Sequence, residues 1–247
     1  MIPGEAATGL MVSVSDLHEM EVARTGGAAI IDLKQPAFGT LGAWSSEALA
    51  SAMMLWQAWD AQLPILAARP LVSATIGDQP MVPAILREAA ERVAASGVQA
   101  VRVGFSRSPH TDACIEALAP LAAHCRLIGV LFADREPDFG ILGVLSRAGF
   151  TGVMIDTADK ASGTLVTHLD PLTLGQFIAE TRRHGLVTGL AGSLTLEDIP
   201  LLARVGADYL GFRAALCGGS CTGRLNAARL HEARIRLKAQ SGNAPGA

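Results

Sequence analysis

The chain has 247 residues, half of them hydrophobic, and a formal net charge of −3 with a pI near 6.1. A chain of this length and composition buries one large core or two small ones, and the absence of a polybasic patch argues against nucleic acid as a partner. No apolar run reaches the length of a membrane span, and the start, MIPGEAATGL, lacks the features of a signal peptide. We therefore expect a cytoplasmic protein that does not bind membranes.

Eight short apolar segments, rich in β-branched residues, are predicted to be strands. In chain order they are residues 10–14, 28–33, 71–75, 100–104, 127–132, 152–156, 187–191 and 209–212. Most are nearly continuous apolar runs without strict alternation. This pattern is typical of parallel strands that are covered on both faces.

A helical pattern follows each predicted strand. In chain order these helices are residues 15–25, 45–60, 83–95, 111–124, 137–148, 172–184, 195–205 and 225–239. Several have the expected ends: Ser15 is a predicted N-cap, Pro83 stands in a first turn, and glycine follows several helix ends. Trp44, Trp56 and Trp59, on or just before the second helix, are assigned to packing or to a subunit contact.

Eight β-then-α units without a break in composition predict an α/β fold, a single-domain (β/α)8 TIM barrel over residues 10–239. Residues 1–9 and 240–247 are predicted to be flexible tails, and we expect a homo-oligomer. An open doubly wound sheet is the alternative, but it would normally carry a glycine-rich turn after the first strand. The segment VSVSDLHE at that place is not such a turn.

Lysine is rare in this chain, which has seventeen arginines but only Lys34, Lys160 and Lys238. Lys34 and Lys160 each follow an aspartate at the end of a predicted strand, whereas Lys238 lies in a basic helix. Arginine stays protonated, but lysine can lose its proton and attack a carbonyl. This usage indicates imine (Schiff-base) chemistry, with surface charge as the alternative.

In a barrel, the chemistry lies at the carboxyl ends of the strands. The candidate side chains there are Asp32 and Lys34, Ser73 and Thr75 for binding substrate or its phosphate, Arg102, Asp134, and Asp156 with Lys160. Asp32 and Lys34 are two residues apart on a strand, so both point to the same side. The pair is either the reactive lysine with its carboxylate or an ion pair that fills the barrel. Lys160 is a candidate proton shuttle or phosphate contact, or a charge on a flexible loop.

The loops after strands seven and eight predict a phosphate site. Gly192 and Ser193 precede one helix, and Gly218 and Gly219 precede the next. Free backbone N–H groups at such places bind anions, and Arg213 would add a forked contact. Glycines before helices are also ordinary turn residues. Cys217 and Cys221 lack a second metal-binding pair, so we predict no metal, and nothing in the chain indicates an organic cofactor.

Five segments together resemble the (5-formylfuran-3-yl)methyl phosphate synthase family, also called 4-(hydroxymethyl)-2-furancarboxaldehyde-phosphate synthase. They are IIDLKQPAFGTLGA, LVSATIGDQP, MIDTADKASGTLVTHL, GLAGSLTLEDIP and YLGFRAALCGG, spread over nearly the whole chain. The resemblance implies a (β/α)8 barrel that condenses two molecules of glyceraldehyde 3-phosphate, in the first step of methanofuran biosynthesis. It implies imine formation at Lys34 beside Asp32, and proton transfer by Asp156 and Lys160. Such an enzyme is a carbon–oxygen lyase acting on phosphates.

Arg102 departs from the pattern of that family, which has a proton-accepting lysine before V-G where this chain reads AVRVGF. Arginine is a poor base at neutral pH. Either another group takes that role, or Arg102 clamps a phosphate or an oxyanion, or the activity is altered. The alternatives for function are another class I aldolase or isomerase on sugar phosphates, and a barrel that binds a phosphorylated metabolite without turnover.

Overall fold

The chain folds into a closed barrel of eight parallel strands in a computed structural model that describes residues 8–59 and 69–241. The strands are β1 (Gly9–Val14), β2 (Ile30–Leu33), β3 (Leu71–Thr75), β4 (Ala100–Gly104), β5 (Arg126–Phe132), β6 (Gly152–Asp156), β7 (Val187–Leu190) and β8 (Tyr209–Phe212). Each strand pairs with the next, and β8 closes the barrel against β1. The predicted (β/α)8 barrel is confirmed, and no strand boundary differs from its prediction by more than two residues.

Successive residues of each strand point alternately to the helices and to the barrel interior. On β2, Ile31 and Leu33 belong to the large core between the strands and the helices. Ile30, Asp32 and Lys34 have the opposite parity and face the interior. A second, smaller apolar cluster fills that interior, and it includes Met11, Val130 and Met154. The polar side chains of the site come from the same inward-facing positions.

The described residues contain nine α-helices. They are α1 (Leu17–Thr25), α2 (Ser46–Ala58), α3 (Pro83–Ala94), α4 (Thr111–Leu118), α5 (Leu142–Arg147), α6 (Leu165–His168), α7 (Pro171–Arg183), α8 (Ile199–Val205) and α9 (Ala227–Ser241). The short helix α6 was not predicted. The predicted helix 111–124 ends early as α4 and continues as a 3-10 helix, Ala119–Ala123, because Pro120 has no N–H to donate.

The start of α1 differs in its cap from the prediction. Asp16, rather than Ser15, is the N-cap, and its side chain accepts the N–H of Glu19 at 2.8 Å. Ser15 instead donates to the Glu19 carboxylate through its backbone N–H and its hydroxyl. By contrast, Ser45, at which the second helix is predicted to begin, is the N-cap of α2, and its hydroxyl accepts the N–H of Ala48.

Some predictions fall outside the residues that the structure describes. Asp60, at the end of the second predicted helix, lies there, as do most residues of the two predicted tails. Within the described ranges, no helix is both long enough and apolar enough to cross a membrane.

Candidate active site

A cavity of about 230 Å³ opens at the carboxyl ends of the strands. Seven of the sequence-predicted site residues line it: Lys34, Arg102, Asp156, Lys160, Gly192, Ser193 and Arg213. The structure therefore brings side chains from β2, β4, β6 and β8 and the backbone after β7 to one place. Ser73, Thr75, Gly218 and Gly219 are not among the residues that line this cavity.

Asp32 lies beside the cavity, fully buried in the barrel interior. It accepts hydrogen bonds from the hydroxyls of Ser13, at 3.1 Å, and Ser73, at 2.8 Å, and from the guanidinium of Arg102. Ser13 and Ser73 are its register neighbours on β1 and β3, so the barrel itself sets these contacts. Ser73, predicted to contact phosphate, is therefore engaged with Asp32 in the structure.

Lys34 follows β2 directly, and its backbone N–H donates to Val14 across the β1 edge. Lys34 is 7% exposed, and its Nζ lies 3.7 Å from Oδ2 of Asp156. Burial lowers the pKa of Lys34, because the charged ammonium loses its hydration, although the charge of Asp156 opposes this shift. The amine is thus close to a carboxylate and biased toward its neutral, nucleophilic form.

Asp156 and Lys160 form a tight pair at the end of β6. Lys160 Nζ donates to Oδ1 of Asp156 and to the carbonyl of Thr157, each at 2.5 Å. Burial alone would raise the pKa of Asp156, but the charges of Lys160, Lys34 and Arg102 hold it well below its usual range. The side chain of Lys160 is 26% exposed, so it faces the open part of the cavity.

The loop that carries Lys160 is fastened from two other loops. Asp134, after β5, accepts the backbone N–H groups of Ala158 and Asp159, each at 2.7 Å. Thr40, in the loop after β2, donates its hydroxyl to the carbonyl of Ala158. Because neighbouring side chains fix its backbone, Lys160 is held near Asp156 by more than its own ion pair.

The loop after β7 presents free backbone donors to the cavity. Gly192 and Ser193 both have positive φ angles, +110° and 49°. Among the described residues, no acceptor is found for the N–H groups of Gly192, Ser193 and Leu194. All three residues line the cavity. Clustered backbone donors of this kind suit a phosphate or another anion.

Arg213 lines the cavity, but its guanidinium is fully engaged with protein groups. It pairs with the buried carboxylate of Glu19 and donates to the carbonyls of Ser13, Cys221 and Gly223. This side chain fastens the last βα loop to the first strand and first helix. The forked phosphate contact predicted for Arg213 would require some of these hydrogen bonds to break.

Thr75, Gly218 and Gly219 have other surroundings than the sequence suggested. Thr75 is buried and its hydroxyl donates to the carbonyl of Gly42 at 3.2 Å. Gly218 and Gly219 are exposed, and a Cβ on either would meet nothing within 4 Å. Their positive φ angles, +73° and +96°, explain the glycines as turn residues.

No group of three or more histidine, cysteine or acidic side chains able to hold a metal ion occurs in residues 8–59 and 69–241. The ionisable groups around Lys34 are instead two carboxylates and two other cations: Asp32, Asp156, Arg102 and Lys160. Such a set can move protons and stabilise charge around a reactive amine.

Sequence comparison finds similarity over most of the chain. A family profile described as 4-HFC-P synthase matches residues 10–234. A protein of Methylorubrum extorquens is 39% identical over 213 residues, which cover 85% of this chain and 83% of that protein. A relative from Methanococcus aeolicus, named (5-formylfuran-3-yl)methyl phosphate synthase, is 33% identical, with 84% of this chain and 89% of the relative covered. The relative of the same name from Methanocaldococcus jannaschii is 31% identical, with 85% and 90% covered.

Solved structures of low sequence identity share the fold. Phosphoribosyl anthranilate isomerase from Thermus thermophilus has a TM-score of 0.61 at 13% identity, with 94% of this chain and 99% of that chain covered. For 3-hexulose-6-phosphate synthase from Salmonella typhimurium the TM-score is 0.60 at 14% identity, with 94% and 100% covered. At these identities the likeness concerns the barrel alone.

Proposed function

Because the chain belongs to the 4-HFC-P synthase family, we propose that it condenses two molecules of glyceraldehyde 3-phosphate through an imine at Lys34. The product is (5-formylfuran-3-yl)methyl phosphate, an early intermediate of methanofuran biosynthesis. The observation that carries the proposal is the buried amine of Lys34, 3.7 Å from Asp156 at the cavity. A buried lysine beside a carboxylate suits imine chemistry, since the amine reacts as the free base and the resulting cation keeps a partner.

The proposed reaction balances without an oxidant or a reductant. One triose phosphate is isomerised to the ketone, and the neutral amine of Lys34 adds to its carbonyl and expels water to form the imine. Loss of a proton gives an enamine, which forms the new carbon–carbon bond to the aldehyde of the second molecule. Cyclisation and eliminations complete the furan. Hydrolysis of the last imine consumes one water molecule and releases Lys34. The net losses for the whole reaction are one phosphate and two water molecules.

Asp156 and Lys160 are suited to the proton transfers. Lys160 Nζ touches Asp156 Oδ1, and the other oxygen of the same carboxylate faces Lys34. A proton leaving the substrate at Lys34 thus has a short route to a group that also reaches the open cavity. General acid–base catalysis of this kind contributes about 10²- to 10⁴-fold to a rate.

The backbone donors of Gly192, Ser193 and Leu194 support a phosphate position on the β7 side of the cavity. A phosphate bound there would place the rest of a triose toward Lys34, because both groups line one cavity. Arg213, whose charge is matched by Glu19, holds the loop after β8 at the edge of this cavity.

The test is to incubate the protein with glyceraldehyde 3-phosphate, record the ultraviolet absorbance of a furan aldehyde, and identify the product by mass spectrometry. In parallel, borohydride is added with the substrate and the adduct is mapped by peptide mass. We expect the furan product and a reduced adduct on Lys34. Lys34→Arg should lose both, since a guanidinium stays protonated and forms no imine.

Lys238→Arg is the matched control, because Lys238 is an exposed lysine on α9 and should not affect either readout. An adduct on Lys34 without furan absorbance would indicate another class I aldolase or isomerase. A furan product with no adduct, or an adduct on another lysine, would contradict the role proposed for Lys34.

A further inference from the structure

Arg102 occupies the centre of the charged cluster. It lies on β4, faces the barrel interior, and is 1% exposed. One terminal nitrogen donates to Asp32, and the other lies 3.9 Å from Oδ2 of Asp156. Its guanidinium therefore bridges the carboxylates of β2 and β6 across the barrel.

The same oxygen of Asp156 faces two cations. Oδ2 lies 3.9 Å from Arg102 and 3.7 Å from Lys34 Nζ, while Oδ1 is held by Lys160. Asp156 thus keeps positively charged neighbours on both oxygens even when Lys34 is neutral. If Lys34 were the only cation beside this carboxylate, its amine would be held in the protonated form.

The hydrogen bonding of Arg102 is incomplete. Its Nε and one terminal nitrogen are buried and have no hydrogen-bond partner among the described residues. Buried polar groups without partners are uncommon because they lose their hydration without compensation. Arg102 also lines the cavity, so its permanent charge acts directly on the groups around Lys34.

The charges around Lys34 balance without a proton on its amine. The groups that face it are Asp32 on its own strand, Arg102 on β4, and Asp156 and Lys160 at the end of β6. Two carboxylates are therefore matched by two cations. Arg213, the other buried arginine of the cavity, is matched separately by Glu19.

We propose that Arg102 is a positioning residue whose permanent charge satisfies Asp32 and Asp156, which leaves the amine of Lys34 free to form the imine. Arginine suits this role because it stays protonated when buried, whereas a lysine at the same place could release its proton. This inference rests on the imine proposed above for Lys34. The direction of the pKa of Lys34, lowered first by burial and further by the charges of Lys160 and Arg102, agrees with it.

The experiment measures imine formation against pH. Dihydroxyacetone phosphate and cyanoborohydride are added to the folded protein from about pH 5 to 9, and the rate of adduct formation on Lys34 is followed by mass spectrometry. In Arg102→Gln, two carboxylates face Lys160 alone, so Lys34 holds its proton more tightly. The acid limb of the profile, the pH range in which the rate falls because Lys34 is protonated, is expected to move up by about 1–3 pH units.

Two further variants test the direction of the pH shift. Circular dichroism shows whether each variant is folded, so that an effect of misfolding is recognised. Asp32→Asn removes one negative charge, so its acid limb should move to lower pH. The double variant Asp32→Asn with Arg102→Gln restores the balance, and its limb should return to that of the unaltered protein. Arg126→Gln, an exposed arginine at the opposite end of β5, is the control and should leave the profile unchanged.

The outcomes separate the two proposals. No adduct on Lys34 in the unaltered protein contradicts the proposed function itself. A normal adduct there, with an Arg102→Gln profile of unchanged acid limb, overturns only the role of Arg102. Failure of the double variant to restore the limb does the same, since charge balance alone would then not account for the effect.

Discussion

Lys160 touches both the carboxylate of Asp156 and the backbone of its own loop, but its side chain is the more exposed member of the pair. We predict that Lys160→Met lowers kcat by about 10²- to 10⁴-fold, because a proton-transfer group is lost. The borohydride adduct on Lys34 should still form, but at higher pH than in the unaltered protein, because the charge of Lys160 lowers the pKa of Lys34. Steady-state kinetics and peptide mass check the two parts, with Lys238→Met as the control. Equal loss of adduct and turnover would mean that Lys160 acts before or during imine formation.

Arg213 and Glu19 form a buried pair that joins residues far apart in the chain. We predict that Arg213→Met reduces the free energy of unfolding by about 3–5 kcal/mol, because Glu19 is left buried without its cation. Urea unfolding measures this, and Arg229→Met, at an exposed arginine that bonds a single carbonyl, is the matched control. Weaker binding of inorganic phosphate at unchanged stability would instead favour the forked contact expected from the sequence.

At the scale of single residues, the sequence predicts which side chains reach the strand ends but not what they bind. Lys34, Asp156 and Lys160 follow from their types and positions, and the structure places all three at one cavity. Ser13 was missed, although it is a polar residue among the apolar residues of β1. Ser73 was expected to bind phosphate, yet it bonds Asp32. A hydroxyl at a strand end has the same sequence signal in either case, and only the register of neighbouring strands distinguishes them.

At the scale of elements, the strands are predictable because each is a compact apolar run between turn residues. The helices are less so. The predicted helix 137–148 begins as a 3-10 helix, Phe139–Ile141, before α5, and no sequence pattern marked α6. Helix α6 is only one turn long, and such short helices depend on tertiary contacts, here the N–H of Leu165 donating to the carbonyl of Gly192.

The loop after β6 depends on a side chain from the loop after β5. We predict that Asp134→Ala lowers kcat by about 10²-fold, because the N–H groups of Ala158 and Asp159 lose their acceptor and Lys160 shifts. Asp138→Ala is the control, since Asp138 likewise accepts a loop N–H, that of Gly140, but lies outside the cavity. Unchanged kinetics in Asp134→Ala would show that the contact of Lys160 with Asp156 suffices to hold the loop.

At the scale of the whole molecule, the buried carboxylates predict sensitivity to acid. Burial opposes ionisation of Glu19 and Asp156, but their cationic partners hold both pKa values below the usual range. A group with a depressed pKa in the folded state stabilises the fold above its unfolded pKa and loses that contribution as pH falls. We predict that the free energy of unfolding decreases below about pH 5. The free energy of unfolding should fall less steeply with decreasing pH in Glu19→Gln. Urea titrations across this pH range check both expectations.

The expected homo-oligomer stays a prediction at this scale. Large apolar side chains such as Phe38, Met54 and Leu172 are more than two-thirds exposed, but they belong to separate elements. Light scattering across a range of protein concentrations decides it: a constant mass of one chain, 25.6 kDa, would contradict the prediction.

The barrel as a whole follows from the repeated β-then-α pattern, whereas the contacts across its interior do not. The sequence places Lys34 beside Asp32 on one strand, and the structure adds Asp156 from β6 as its ion-pair partner. Strand order places β2 opposite β6, but whether two side chains meet across the interior depends on strand tilt and on side-chain length. These are properties of the assembled barrel, so no local pattern could predict the distance.

The ion pair of Lys34 with Asp156 also divides the chemistry between two halves of the chain. The segment from β1 to β4 carries Asp32, Lys34 and Arg102, and the segment from β5 onward carries Asp156 and Lys160. A polypeptide cut between α4 and β5 would leave each fragment with a near-balanced charge set but no complete site. Turnover by the two coexpressed fragments would therefore show that β4 had paired with β5 and that β8 had paired with β1.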